Sequence, residues 1–112
     1  MRVYNISQNT LLAENALLAD SFLTRMRGLL GRASLPAGEG LIITGSQSIH
    51  MMFMRFPIDV IFIDGSKRVV GLVEHIKPFQ FSPVFWKSVS AIELPVDAIK
   101  NSRTRLGDQL AY

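Results

Sequence analysis

The chain has 112 residues, 48% of them hydrophobic, which supports one core but not two. It has no cysteine, so disulfides, thiolate metal sites and cysteine nucleophiles are excluded. The net charge of +3 is spread along the chain, which argues against nucleic acid as the partner. We therefore expect one domain over residues 1–112.

Targeting and membrane signals are missing from the sequence. The first residues lack the apolar run of a signal peptide, and no segment approaches the roughly 18 apolar residues of a membrane span. These features predict a soluble, cytoplasmic protein. We also expect it to be a monomer or a homodimer.

The first third of the chain predicts short strands and one helix. Residues 3–6 alternate like an edge strand, and residues 11–19 suit a hairpin or strand pieces, with a helix as the competing interpretation. Ser21 suits an N-cap, and an apolar stripe from Phe22 to Leu30 predicts a helix ending at Gly31. Its arginines form either a solvated basic face or a surface for an anion or partner: Arg25, Arg27 and Arg32.

The central stretch, residues 49–64, predicts two strands joined by a fixed bend at Pro57. A loop at 33–40 and a short strand at 41–44 precede it. In the first central strand Ile49, Met51 and Phe53 would share one face, and His50, Met52 and Met54 the other. Both faces are largely apolar, so the pair is either covered on both sides or lines a cavity.

The last third predicts further strands around an aromatic segment. Asp64-Gly65 is a preferred hairpin turn leading into a long strand over 68–76. Residues 77–87 hold four aromatic residues and two prolines without a period, which indicates a loop folding back onto the core. A strand at 90–94, a helical turn within 96–102 and a final strand near 110 follow. Six to eight short strands with one or two short helices favour a mainly β sandwich or barrel.

Several motifs, in this order, resemble those of the bacterial and archaeal family called domain of unknown function 192. They are Arg-x-Arg-Gly-Leu-Leu-Gly-Arg at 25–32, Gly-Glu-Gly-Leu at 38–41, Ser-Ile-His-Met-x-Phe-Met-Arg-Phe-Pro-Ile-Asp-Val-Ile-Phe-Ile-Asp at 48–64, Lys-Pro at 77–78, Glu-Leu-Pro at 93–95 and Gly-Asp-Gln-Leu at 107–110. The resemblance implies a compact, mainly β domain of jelly-roll or sandwich type, in a family without an established activity. The chain departs from the family at 96–98, where Val-Asp-Ala replaces a more typical Ala-Gly-Thr. Losing that glycine puts the usual turn in doubt.

Each residue capable of chemistry also has a purely structural interpretation. His50 suits a base or ligand, or a hydrogen-bonded residue at the rim of the core. Asp59 suits acid or base work, or else it accepts backbone donors or pairs with Arg55, while Asp64 belongs to the hairpin turn. Glu93 alternates with apolar neighbours and is expected to face solvent. Even with His75 as a second ligand, no metal spacing is recognised, and no cofactor is expected.

We therefore expect a binding module with an apolar pocket or groove around the central hairpin, for a small molecule or a protein. Its candidate binding residues are His50, Met52, Met54, Arg55, Asp59, Phe79, Trp86 and Glu93. The alternative is an enzyme acting on a small or saccharide-like substrate, with Asp59, His50 or Glu93 as acid or base. A third hypothesis is weak anion or nucleic-acid binding through the three arginines of the predicted helix.

Overall fold

A computed structural model describes residues 1–19, 34–52 and 54–112, and these form a mainly β fold of two open sheets. In chain order the elements are β1 (Val3–Asn5), β2 (Thr10–Ala13), β3 (Asn15–Ala19), β4 (Glu39–Thr44), β5 (Ile58–Ile63), β6 (Val69–Ile76), β7 (Ser90–Leu94), α1 (Ala98–Ser102) and β8 (Leu110–Ala111). The smaller sheet has the strand order β2-β1-β8, and the larger has the order β3-β4-β7-β5-β6. The prediction of a mainly β fold is confirmed.

Strand β5 lies inside the larger sheet between β7 and β6, antiparallel to both, and all six of its residues are buried. Its sequence, Ile-Asp-Val-Ile-Phe-Ile, lacks the alternation of a strand with one solvated face. Of the two alternatives, a strand covered on both sides or one that lines a cavity, the structure supports the first for β5. In this sheet only the pairing of β3 with β4 is parallel.

Two apolar layers cover the two faces of the larger sheet. On one face, which we call the loop-covered face, side chains of the sheet pack against those of loops, among them Ile49, Met51, Met54, Phe56 and Phe85. On the other, the sheet-covered face, they pack against the smaller sheet and α1, through Val3, Leu12, Leu110 and Ile99. Alternation along β5 places Ile58, Val60 and Phe62 on the first face and Ile61 and Ile63 on the second.

The predicted strand at the start of the central stretch is wrong. Between β4 and β5, the described residues make a single bridge, from His50 to Phe81, and Met52 lies in a turn. The predicted alternation also fails, because Met51 and Met54 are buried in the same apolar layer. The physical reason is that the backbone of this segment hydrogen-bonds to the loop after β6, so there is no central hairpin with β5.

The N-terminal strands also differ from prediction in their neighbours. Strand β1 is the middle strand of the smaller sheet, although an edge strand was expected. Residues 11–19 form strand pieces, but β2 and β3 belong to different sheets and do not pair as a hairpin. The chain passes between the sheets at Glu14 and Asn15, whose backbone N–H groups both donate to the carbonyl of Gly38.

The turns of the C-terminal half agree with the sequence. Asp64 accepts hydrogen bonds from the N–H groups of Ser66 and Arg68 and joins β5 to β6 as a hairpin. The predicted helical turn is α1, and the predicted last strand is β8. The predicted helix over 21–31 and its three arginines lie outside the described residues.

Candidate functional site

The loop between β6 and β7, residues 77–87, exposes large apolar side chains, and we call it the aromatic loop. Phe79 is 63% exposed, Phe81 70% and Trp86 78%, and Val84 is also exposed. The prediction that this loop folds back onto the core holds for Phe85, which packs against the loop-covered face. It is wrong for the other three aromatic side chains.

The aromatic loop is fixed by backbone hydrogen bonds to the segment before β5. Met51 donates its N–H to Gln80 at 2.8 Å and accepts the N–H of Phe79 at 2.9 Å. Ile49 accepts the N–H of Ser82 at 2.9 Å, and its own N–H donates to the Ser82 hydroxyl at 2.9 Å. The expected proximity of the central stretch and this loop is therefore present, built from two irregular segments.

Phe85 anchors the aromatic loop to the sheet. Its ring packs on Phe62 of β5, with 4.6 Å between the ring centroids. It also lies so close to Gly71 of β6 that a Cβ atom there would be 2.5 Å from the ring. Only glycine leaves this space free. With Phe85 turned inward, its neighbour Trp86 is left outside, and the Trp86 carbonyl accepts the Gln47 side-chain amide at 2.9 Å.

Phe79 has an unusual backbone conformation, with φ at 66°. Bulky side chains seldom adopt this left-handed region, so the surrounding structure must impose it. The two hydrogen bonds around it, from Phe79 N–H to Met51 and from Gln80 N–H to Lys77, supply that constraint. Strain of this kind concentrates at functional sites, which makes Phe79 a candidate contact residue.

The charges on and beside the aromatic loop are mainly positive. There is no Asp or Glu in residues 45–57 or 75–92, whereas Arg55, Lys77 and Lys87 are exposed. The nearby carboxylates lie just outside these segments: Glu74 near the end of β6, and Asp64, whose charge interacts with Lys87. We call the exposed side chains of the aromatic loop the basic aromatic surface: Lys77, Phe79, Phe81, Val84, Trp86 and Lys87.

A shallow cleft of about 320 Å³ lies in this surface, lined by Val70, Val84, Phe85, Trp86 and Lys87. Its volume is at the lower end of the range for small-molecule sites. Because Trp86, one of its walls, is mostly exposed, the cleft does not enclose a ligand. The cleft is therefore an open depression beside the loop, and none of the residues that line it belongs to the central stretch, where the groove was expected.

His50 lies under the edge of the basic aromatic surface. Its ring is half-buried with Nδ1 inside the protein, and its centroid is 6.2 Å from that of Phe81. Of the neighbouring candidates, Met52 is half-buried, Met54 is buried in the core, and Arg55 is exposed. Met52 and His50 are thus partly accessible, whereas Met54 has a packing role.

Asp59 lies on the other face of the larger sheet. It is 0% exposed, and one carboxylate oxygen accepts the His75 N–H at 2.9 Å while the other accepts the Ile99 N–H at 3.1 Å. These donors belong to an irregularity in β6 and to the first turn of α1. Of the interpretations of Asp59, the structure supports that of a carboxylate that accepts backbone donors. The larger sheet separates Asp59 from His50.

Glu93 is also 0% exposed, so the expectation that it faces solvent is wrong. It lies opposite Leu41 and Val60 in the neighbouring strands, both of which belong to the loop-covered face. Glu93 therefore shares a face with His50 but is covered by the apolar layer. It has no place on the basic aromatic surface.

The sequence reasoning missed a contact between His75 and Asp97. The Nε2 atom of His75 is 2.7 Å from Oδ1 of Asp97, and both side chains are about half exposed. In the turn after Pro95, which the loss of the glycine put in doubt, Asp97 itself adopts the left-handed conformation, with φ at 71°. The unusual aspartate at a glycine position was the signal that could have indicated this contact.

The described residues include no group of three or more His, Asp or Glu side chains able to hold a metal ion. Within the same part of the chain, no helix is long and apolar enough to cross a membrane. The structure thus defines a small β protein whose distinguishing surface is an aromatic loop with basic flanks.

The chain belongs to the family domain of unknown function 192, described as an uncharacterized ACR, whose model matches residues 4–112. It is 34% identical over 99 residues to a UPF0127 protein of Thermococcus sibiricus, covering 85% of this chain and 64% of that protein. A UPF0127 protein of Pyrococcus furiosus is 32% identical over 101 residues, covering 84% of this chain and 83% of the relative. This chain therefore spans just under two thirds of the Thermococcus relative's length.

The fold is also similar to a crystal structure of a protein of unknown function from Novosphingobium aromaticivorans. The TM-score is 0.81, with 20% sequence identity, covering 99% of this chain and 82% of that one. At this identity the likeness concerns the fold alone. The expected membership of an uncharacterised family is confirmed by the family match.

Proposed function

We propose that this protein is a binding module that recognises its partner through the basic aromatic surface. The observation that carries the proposal is the exposure of Phe79, Phe81 and Trp86 on one loop whose backbone is held in place. Single exposed apolar residues are ordinary in soluble proteins, but a cluster of large ones marks an interaction site. His50 borders this surface through Phe81.

The shape of the surface favours an extended partner over an enclosed small molecule. Small-molecule sites usually bury most of the ligand, whereas the cleft beside Trp86 is open and about 320 Å³ in volume. Aromatic side chains are enriched at surfaces that bind macromolecules, because each buries a large area with few rotatable bonds.

Catalysis by Asp59, His50 or Glu93 is the weaker alternative. Asp59 has both carboxylate oxygens on backbone donors and is separated from His50 by the sheet. Glu93 is buried in the middle of the larger sheet. A reaction would need a substrate to reach one of these groups, and neither carboxylate adjoins the exposed cleft.

Photo-crosslinking tests the proposal without knowing the partner. The photoreactive residue p-benzoylphenylalanine replaces Phe81 in one variant and Leu17 in a control, because Leu17 is similarly exposed but lies on the opposite edge strand, β3. Irradiated cells are analysed for adducts by intact mass and by gel shift. We expect an adduct at position 81 that is absent at position 17 and is reduced when Trp86→Ala is added. Equal adducts at both positions, or none at either, would overturn the proposal.

A further inference from the structure

We infer that the partner of the basic aromatic surface is an anionic lipid bilayer, on which the loop side chains insert at the level of the headgroups. The inference rests on the proposed function and names its partner. Four apolar side chains are exposed on the aromatic loop, three of them aromatic: Phe79, Phe81, Val84 and Trp86. Tryptophan favours the boundary between lipid and water, where its apolar ring and its polar N–H group are both accommodated, and phenylalanine adds apolar area that can insert.

The charge of the loop matches that of an anionic membrane. Lys77 and Lys87 flank the apolar side chains, and Arg55 is exposed on the segment that pairs with the loop. No carboxylate lies within residues 75–92. A lysine at the edge of such a surface can place its alkyl chain against the apolar region and its ammonium group among the lipid phosphates. A basic partner would be repelled by these charges, and a strongly hydrated partner would gain less from the apolar side chains.

The backbone of the loop is prepared for a medium of low polarity. Hydrogen bonds to the segment before β5 satisfy the N–H groups of Phe79, Ser82 and Phe85 and the carbonyl groups of Gln80 and Trp86. Pro78 and Pro83 have no N–H group to satisfy. The polar backbone groups that would oppose insertion are therefore reduced in number.

The loop also needs little reorganisation to bind. Its two prolines restrict the backbone, and the packing of Phe85 against Gly71 and Phe62 fixes it to the larger sheet. Side chains presented by a fixed loop lose less conformational entropy on insertion than those of a mobile segment. A flat membrane, unlike a small ligand, does not need to be enclosed by the open cleft.

The test uses the full chain and vesicles of phosphatidylcholine, either alone or with about a third of phosphatidylglycerol. Trp86 is the only tryptophan, so its fluorescence reports on this surface directly. With the anionic vesicles at low salt, we expect a blue shift of the emission, protection from acrylamide quenching and co-sedimentation. We expect weaker binding to phosphatidylcholine alone, and a loss of binding to the anionic vesicles as salt is raised.

Variants separate the apolar and the charged contributions. Phe81→Ala is expected to weaken partitioning about tenfold, since a large apolar side chain no longer inserts. Each of Lys77→Gln and Lys87→Gln is expected to weaken it about fivefold, and the double variant about 25-fold. Leu17→Ala, on the opposite edge of the sheet, is the matched control and should bind like the original chain. Thermal unfolding verifies that all five variants are folded.

Failure of this inference is distinguishable from failure of the proposed function. If neither vesicle type changes the Trp86 emission while position 81 still crosslinks to a protein, the lipid inference is wrong and the binding module stands. If Leu17→Ala weakens binding as much as Phe81→Ala, or if both vesicle types bind equally, the lipid inference is also overturned. A dimer that dissociates in Trp86→Ala, without vesicle binding, would assign the surface to a second copy of this chain.

Discussion

His75 and Asp97 both have left-handed backbone conformations, with φ at 52° and 71°, and their side chains meet at 2.7 Å. His75 lies in the irregular part of β6, and Asp97 directly precedes α1. The two backbone N–H groups that bind Asp59 come from His75 and from Ile99, two residues after Asp97. One surface contact and one buried carboxylate thus join the same end of β6 to the start of α1.

Replacement of Asp97 by glycine should stabilise the protein slightly. The substitution removes a left-handed backbone cost of about 1 kcal/mol, whereas the half-exposed contact with His75 contributes roughly 0.5 kcal/mol. Urea unfolding at pH 7 should show a rise of about 0.5 kcal/mol in the free energy of unfolding. The control Asp97→Ala keeps the backbone cost and loses the contact, so it should be less stable than the original chain. A clear loss of stability in Asp97→Gly would contradict this account.

Asp59→Ala should be among the more destabilising substitutions in the larger sheet. It leaves two backbone donors unpaired and a space in a fully buried site, which together cost about 3 kcal/mol. Asp59→Asn keeps one acceptor oxygen and should cost about half as much. The measurement is urea unfolding, together with crosslinking from position 81, which should not change. Wild-type stability in Asp59→Asn would show that the carboxylate is not needed to hold β6 and α1.

A fall in pH should weaken the hydrogen bonds by which Asp108 joins β1 to the segment before β8. Burial tends to raise the pKa of Asp108, but hydrogen bonds from Asn5, Arg105 N–H and Gln8 outweigh it and hold the pKa below its ordinary value. Because the folded pKa lies below the unfolded one, the stabilising contribution is complete above about pH 4 and is lost as the pH falls through the folded value.

Above about pH 4, the stability curves of the original chain and of Asp108→Asn should therefore stay separated. As the pH falls from about 4 through the folded pKa of Asp108, the two curves should approach each other. The variant should be less stable by about 2 kcal/mol at pH 7, where the charged hydrogen bonds are intact. Urea unfolding at several pH values from 2.5 to 7 measures both curves. A constant difference over this whole range would argue against ionisation of Asp108 as the cause.

Gly71→Ala should displace the anchor of the aromatic loop. Its new Cβ atom would lie 2.5 Å from the Phe85 ring, so the ring must move and lose part of its packing on Phe62. We expect a loss of about 2 kcal/mol in unfolding free energy and a changed Trp86 emission maximum. Gly65→Ala is the matched control, since a Cβ atom there has nothing within 4 Å. Equal effects of the two substitutions would show that the Phe85 packing is not responsible.

The strands and turns of the C-terminal half were predictable because their signals are local. The Asp64-Gly65 turn, the largely apolar β5 and the stop at Pro95 each follow from neighbouring residues. Segment 49–54 also reads as a strand, but the backbone groups of Ile49 and Met51 bind the aromatic loop, about thirty residues further along the chain. Local alternation carries no information on such a distant partner.

The candidate site was predictable only in part for the same reason. Alternation assigns Glu93 to one face of β7, but it cannot tell that loops cover that face. Similarly, the composition of 77–87 predicts an aromatic loop, whereas the choice of Phe85 as the buried ring depends on the space above Gly71. The absence of acidic residues from this part of the chain was readable from the sequence and indicates the basic character of the surface.

The pairing of β1 with β8 affects how this chain folds while it is being synthesised. Residues 4 and 5 are synthesised before residues 110 and 111, with which they pair, and Ile6 N–H also donates to the carbonyl of Gln109. The larger sheet has all its strands by residue 94, about fifteen residues earlier. The nascent chain therefore carries β1 with one neighbour missing and its polar backbone edge open. Until β8 has left the ribosome, that open edge can pair with a strand of a neighbouring nascent chain.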